Sequence, residues 1–371
     1  MSLTEFDADR PPEGARRRRR GRGRRRRALT EVGMGDGSRE GAVVEDVEVE
    51  RADEFDSYYG RPIVKAPPWK EPIAVYLFLG GIAGGCGLLA FGAHCTGRPL
   101  LRRSTRLIAL GAVGVGTVAL IEDLGRPERF LNMMRTVKVS SPMSLGTWIL
   151  AGFGSLSGVL AALEVDRLTG QRLPLGPLRS LLGALETPTA AGQAVLAPLL
   201  ASYTGALLGN TIVPTWEAGR EHLSFLFASS ASLAAGGAAM VTTPVEEAGP
   251  ARVLATAGVA GDVLSMHLMK RSMHPLEAEP LETGRAGTLL KWSERLAIAG
   301  GIGTLLGGRN RYVAAASGAA LLASSALTRF GVLYAGLESV KDPRRVVTPQ
   351  KERLAARRAA GTTDDSITTA G

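Results

Sequence analysis

Residues 72–95 read PIAVYLFLGGIAGGCGLLAFGAHC, and no Asp, Glu, Lys or Arg interrupts them. As a helix, a run of about twenty or more apolar residues crosses roughly 30 Å of hydrocarbon. Its apolar residues are continuous rather than alternating, which excludes a barrel strand, and in lipid only helices and closed barrels satisfy every backbone polar group. The stretch therefore reads as a transmembrane helix and sets the scale for the rest of the chain.

Comparable apolar runs follow at about 106–122, 143–163, 190–213, 221–242, 250–269, 288–306 and 311–336. Ser140-Ser141-Pro142 is a helix-start signal for the third span, and Pro214-Thr215-Trp216 closes the fourth. Residues 174–187 form a short amphipathic piece that proline breaks too often to span. The expectation is an all-α integral membrane protein with about eight transmembrane helices over 69–340. A tail at 1–68, arginine-rich and then acidic, and a basic, polar tail at 341–371 flank it. An even number of crossings puts both termini on one side of the cell's inner (plasma) membrane. The arginine block and the basic stretch Lys341–Arg358 favour the cytoplasm for both.

The formal charge of +9 is concentrated in Arg16–Arg20, Arg22 and Arg24–Arg27, followed by the acidic stretch 45–56. Such blocks bury no apolar area and read as disordered. A basic arm can bind nucleic acid, but no nucleic-acid fold follows; the reading taken is a positive-inside tail whose partner is anionic membrane lipid. No secretory signal pattern precedes the first apolar run. Cys86 and Cys95, nine apart, make neither a disulfide framework nor a cluster-binding motif, so no iron–sulfur cluster is expected in this chain. The glycine-rich stretch Gly80–Gly87 lacks the preceding strand that a nucleotide loop requires. The pairs Gly80/Gly84 and Gly81/Gly85 instead make a small-residue stripe for close helix contact in lipid.

Ionisable groups inside lipid are functional candidates by default. Asp262 lies midway along the sixth span, Glu294 and Arg295 early in the seventh and Arg329 well inside the eighth. They form either a proton or ion path or a structural ion pair of Asp262 or Glu294 with Arg329. Glu122 and Asp123, with Arg126 and Arg129, end the second span as a loop-ordering cluster, a partner-docking surface or a proton-delivery point. A haem b anchor needs facing histidine pairs; of His94, His222, His267 and His274, only His94 with His267 makes a formal candidate pair, and no haem is expected. Tyr76 and Tyr203 can each hydrogen-bond a quinone carbonyl, although interfacial tyrosines more often anchor a helix. A transporter-like, ion- or solute-translocating subunit built on Asp262, Glu294 and Arg329 is the alternative function; no internal repeat supports it.

The order of landmarks narrows these alternatives. YLFLGGIAGG (76–85), DLGRPERF (123–130), SPMSLGTW (141–148), Tyr203-Thr204-Gly205, Pro214-Thr215-Trp216 and LSFLF (223–227) follow one another. In this order the chain resembles the NrfD/polysulfide reductase membrane-subunit family over about 69–340. The resemblance implies two four-helix bundles, no haem, and a quinone pocket for menaquinone or ubiquinone near the membrane edge. At the matching positions, Tyr76 and Tyr203 would contact the quinone. It further implies a ferredoxin-like 4Fe–4S partner subunit and a molybdopterin catalytic subunit, as in polysulfide reductase and some formate dehydrogenases. Without a redox centre of its own the chain must receive electrons from a docked subunit. Because the start of the first helix and the ends of the second and fourth fall on the tail side, that subunit is expected on the cytoplasmic face.

Overall fold

The computed structural model describes residues 62–124, 128–135, 137–138 and 140–360. Every described residue belongs to one compact unit, Arg51–Gly371. The arginine block, the acidic stretch 45–56, Arg126 and residues 361–371 lie outside the described residues.

Proline in the first turn, where its missing N–H has no intrahelical partner anyway, opens several long helices. α1 is Glu71–Cys95, α2 Pro99–Asp123 and α3 Pro142–Leu168. α4 is Glu186–Gly209, α5 Arg220–Thr242, α6 Gly249–Ser272, α7 Gly284–Gly307 and α8 Arg311–Ser339. Ser141 caps α3 by accepting from the Ser144 amide, and Asn310 caps α8 by accepting from the Tyr312 amide at 2.9 Å. Among the described residues there is no strand.

Six of these helices, α1 to α5 and α8, are long and apolar enough to cross a membrane. α6 and α7 are equally long, at 24 residues each, but carry Arg252 and Asp262, and Lys291, Glu294 and Arg295. Helix ends run beyond the apolar runs: α2 starts at Pro99 rather than near 106, and α3 continues to Leu168. Charged residues extend a helix past the hydrocarbon without being visible as hydropathy. The stretch after 341 also differs from a plain tail. Its residues Arg344–Ala359 form a further helix, α9, whose Arg353 reaches Glu277 at 2.6 Å while Arg345 reaches Glu279 at 3.1 Å.

α1 packs on α2 and α4, and α3 packs on α2 and α4; likewise α5 packs on α6 and α8, and α7 on α6 and α8. α1 also touches α5 and α8, and α4 touches α5. The glycine stripe makes α1 central. A Cβ at Gly84 would lie 2.7 Å from the Ala197 carbonyl oxygen of α4, while one at Gly85 would run into Ala235 of α5 and lie 3.0 Å from the Ala231 carbonyl. Backbone atoms cannot yield as a side-chain tip can. Gly85→Val is therefore expected to destabilise the protein by about 3 kcal/mol or more, read as a lower thermal unfolding temperature in detergent. Gly92→Val, where a Cβ meets nothing within 4 Å, should leave it unchanged.

Candidate functional site

Two tyrosines meet glycines at one end of α1 to α4. Tyr76 stands in the second turn of α1 and is only 3% exposed, so it is a core residue rather than an interfacial anchor. Its ring edge lies 3.7 Å from where a Cβ on Gly116 of α2 would stand. Tyr203, half-buried near the end of α4, lies on Gly146 of α3: a Cβ there would run into its ring, with Cδ2 and Cζ at 2.9 Å. Gly80, one turn beyond Tyr76, is buried, yet a Cβ there would meet nothing within 4 Å. An unfilled space thus adjoins Tyr76 inside the protein.

The loops at this end hold the start of α1. Asp123, the last residue of α2, accepts the Lys70 amide at 3.3 Å. Trp69 stacks on Trp216 with ring centroids 5.5 Å apart, and Trp216 is fully buried, its indole N–H donating to the Val332 carbonyl at 2.8 Å. The Thr215 hydroxyl donates to the Glu277 carbonyl at 2.8 Å, and the Tyr334 hydroxyl donates to Glu71 at 3.2 Å. The Asp123 and Pro-Thr-Trp landmarks therefore act as clamps around the segment that presents Tyr76. Glu122 is exposed. Arg129 begins the short helix Arg129–Met133, and its side chain, like Arg126, lies outside the described part.

The remaining candidates sit on α6 to α8. Arg329 is fully buried; its guanidinium lies 3.7 Å from the centroid of the Phe227 ring and donates to the Phe227 carbonyl at 2.7 Å. Nε and Nη1 of Arg329 and Oδ1 of buried Asp262 have no hydrogen-bond partner among the described residues. Nor does any ion pair within 4 Å there join Arg329 to Asp262 or to Glu294, which is exposed on α7.

The sequence reading missed the densest polar cluster. Arg106 of α2, 1% exposed, donates to Glu164 of α3 at 2.8 Å and to Glu186 of α4 at 2.6 Å. Arg102 reaches Glu164 at 2.8 Å, and Arg167 reaches Glu164 at 3.1 Å and both carboxylate oxygens of Glu186. His94, at the end of α1, bonds the Thr187 hydroxyl at 3.0 Å. Further along α4, Gln193 donates to Ser157 at 2.8 Å in the core. His94 lies about 27 Å along α1 from Tyr76 at 1.5 Å per residue, so this network closes the opposite end of the same helices. The available signal was the spacing: Arg102 and Arg106 are four apart, Glu164 and Arg167 three apart. Hydropathy assigned these positions to span edges and loops.

Membrane-length helices packed around a buried tyrosine and a buried arginine–glutamate network define a multi-pass helical membrane protein. A family model described as "Polysulphide reductase, NrfD" matches residues 63–248, about half the chain, and the chain belongs to that family. It is 34% identical over 158 residues to "Protein NrfD" of Escherichia coli, covering 38% of this chain and 48% of that protein. It is 32% identical over 151 residues to a polypeptide of the polysulfide reductase of Wolinella succinogenes, covering 38% of this chain and 47% of that polypeptide. The match spans about half the length of these curated relatives. The family match contains α1 to α5, with both tyrosines and the Arg106 network; Asp262, Glu294 and Arg329 lie beyond it.

Proposed function

We propose that this chain is the quinone-binding membrane anchor of a respiratory oxidoreductase complex of the polysulfide reductase or formate dehydrogenase type. One observation carries the reading: Tyr76 and Tyr203 come to the same end of α1 to α4, each ring against a neighbouring helix's glycine, with an unfilled space at Gly80 one turn from Tyr76. A phenol hydroxyl donates to a quinone carbonyl while its ring packs against the headgroup. An apolar groove of about 630 Å³ begins one turn from Tyr76, between Phe78, Leu79 and Ile82 of α1, Val115 of α2 and Leu322 of α8, and is suited to an isoprenoid tail. The residues present thus fit menaquinone or ubiquinone.

A bound quinone supplies two-electron, two-proton chemistry, and the protein supplies position and proton access. Tyr76 and Tyr203 hold and orient the headgroup. Asp123 fixes the start of α1, and exposed Glu122 beside it offers a proton-exchanging carboxylate at the membrane edge. Asp262 and Arg329, with their unpartnered polar atoms, are read as a hydrated polar step in the second half of the protein. Electrons are exchanged with a docked ferredoxin-like 4Fe–4S subunit, with Arg126 and Arg129 contributing to its seat, and through it with a molybdopterin catalytic subunit.

In this reading all eight long helices cross the inner membrane as two four-helix bundles, α1–α4 and α5–α8. The pairwise packing supports that division, and the basic tails support cytoplasmic termini. The decisive measurement is extraction of the intact complex with its native lipids, followed by assay of bound quinone. Co-purifying menaquinone or ubiquinone, displaced by a quinone-site inhibitor, is the expected result; an intact complex showing neither would remove the proposal.

A further inference from the structure

At the end opposite the tyrosine pair, a cavity of about 620 Å³ opens between the start of α6 and the end of α7. Its polar lining is dominated by two arginines, and no acidic side chain lines it. Arg252 is braced: Nη1 donates to the carbonyls of Val245 at 2.9 Å and Gly308 at 3.3 Å. Arg309 is exposed and has no hydrogen bond or ion pair among the described residues. Other nearby polar groups are already committed. The Thr256 and Thr304 hydroxyls donate to their own helices, at 3.0 Å to Arg252 and 2.7 Å to Gly300. Asn310 occupies the first amides of α8, and Arg311 is spent on the carbonyls of Met240, Val241 and Thr243. Glu247 caps the start of α2, at 2.8 Å from the Leu100 amide.

Two guanidiniums without a carboxylate partner therefore line one cavity, and its apolar side chains face outward. Val253 is 69% exposed, Leu305 72% and Leu306 85%. Guanidinium forks recognise phosphate oxygens. The lateral leucines and valine have no use for a soluble anion, but they suit acyl chains. Basic pockets between membrane helices near the bilayer surface are where anionic headgroups bind.

We propose that this cavity seats the phosphodiester of an anionic phospholipid, with Arg252 and Arg309 on its oxygens and Val253, Leu305 and Leu306 along its acyl tails. The assignment rests on reading α6 and α7 as membrane helices and is independent of the quinone pocket. It is tested on the purified full-length protein by native mass spectrometry with added phosphatidylglycerol or phosphatidylcholine. The wild type is expected to retain phosphatidylglycerol preferentially, and Arg309→Gln to lose that preference by about tenfold or more. Arg309 braces nothing, so this variant keeps the fold; Arg252→Gln, checked by its thermal melt, should act in the same direction. Equal retention by wild type and Arg309→Gln overturns the proposal, and so does equal retention of the two lipids. Displacement of phosphatidylglycerol by inorganic phosphate alone would also overturn it, by making the ligand a soluble phosphate. Quinone content of the same preparations reads the other pocket and should not change with Arg309→Gln.

Discussion

Gly146→Ala is expected to lower quinone-linked turnover by roughly ten- to a hundredfold while the protein still inserts and assembles. A methyl group at this position runs into the Tyr203 ring. The ring must swing away, because the Gly146 backbone is held in α3 and cannot retreat. The hydroxyl then leaves the position from which it would meet a quinone carbonyl. Tyr203→Phe makes the complementary change: the ring stays and only the hydroxyl is lost, so about one hydrogen bond's worth of stabilisation, roughly tenfold in turnover, should disappear. Gly116→Ala is the control on the other tyrosine. There the added methyl makes ordinary contact with Tyr76 at 3.7 Å and with Leu79 at 3.4 Å, and turnover should hold. Steady-state quinone reduction or quinol oxidation by the assembled complex, normalised to membrane content, reads all three. Wild-type rates in both Gly146→Ala and Tyr203→Phe would take Tyr203 out of the pocket.

Arg106→Leu should damage the fold rather than the chemistry. Arg106 is the shared partner of Glu164 and Glu186 at a site away from solvent. Breaking a buried ion pair from one side leaves uncompensated charge and costs about 3–5 kcal/mol. Part of that loss is limited here, because Arg102 and Arg167 still reach Glu164, and Arg167 still reaches Glu186. The expected result is a clear drop in the thermal unfolding temperature of the purified protein. In the double variant with Glu164→Leu the two losses should be less than additive, since both substitutions remove the same Arg106–Glu164 pair. An unfolding temperature equal to wild type in Arg106→Leu would show that the network contributes nothing to stability.

These two sites also show what kind of information each level carries. Apolar runs of membrane length were readable without coordinates, because lipid demands a continuous helix wherever the polypeptide crosses it. So was the helix start at Pro142, which depends on one residue's dihedral and its missing donor. Tyr76 and Tyr203 could be singled out from their place in the order of motifs. Their partners could not: Gly116 and Gly146 are unremarkable glycines until packing sets a ring on each.

Residue order alone thus establishes an all-helical protein in lipid, its landmarks and its family. Three-dimensional packing was needed to learn that Asp123 holds the Lys70 amide, 53 positions earlier, that Trp216 is buried against Val332, and that Arg106 joins Glu164 and Glu186, 58 and 80 positions later. Helix formation in lipid follows from local hydropathy and backbone satisfaction. Which polar side chains meet across the interior follows from the rotation and depth at which small-residue stripes let the helices dock, and those are properties of pairs of helices rather than of either one alone.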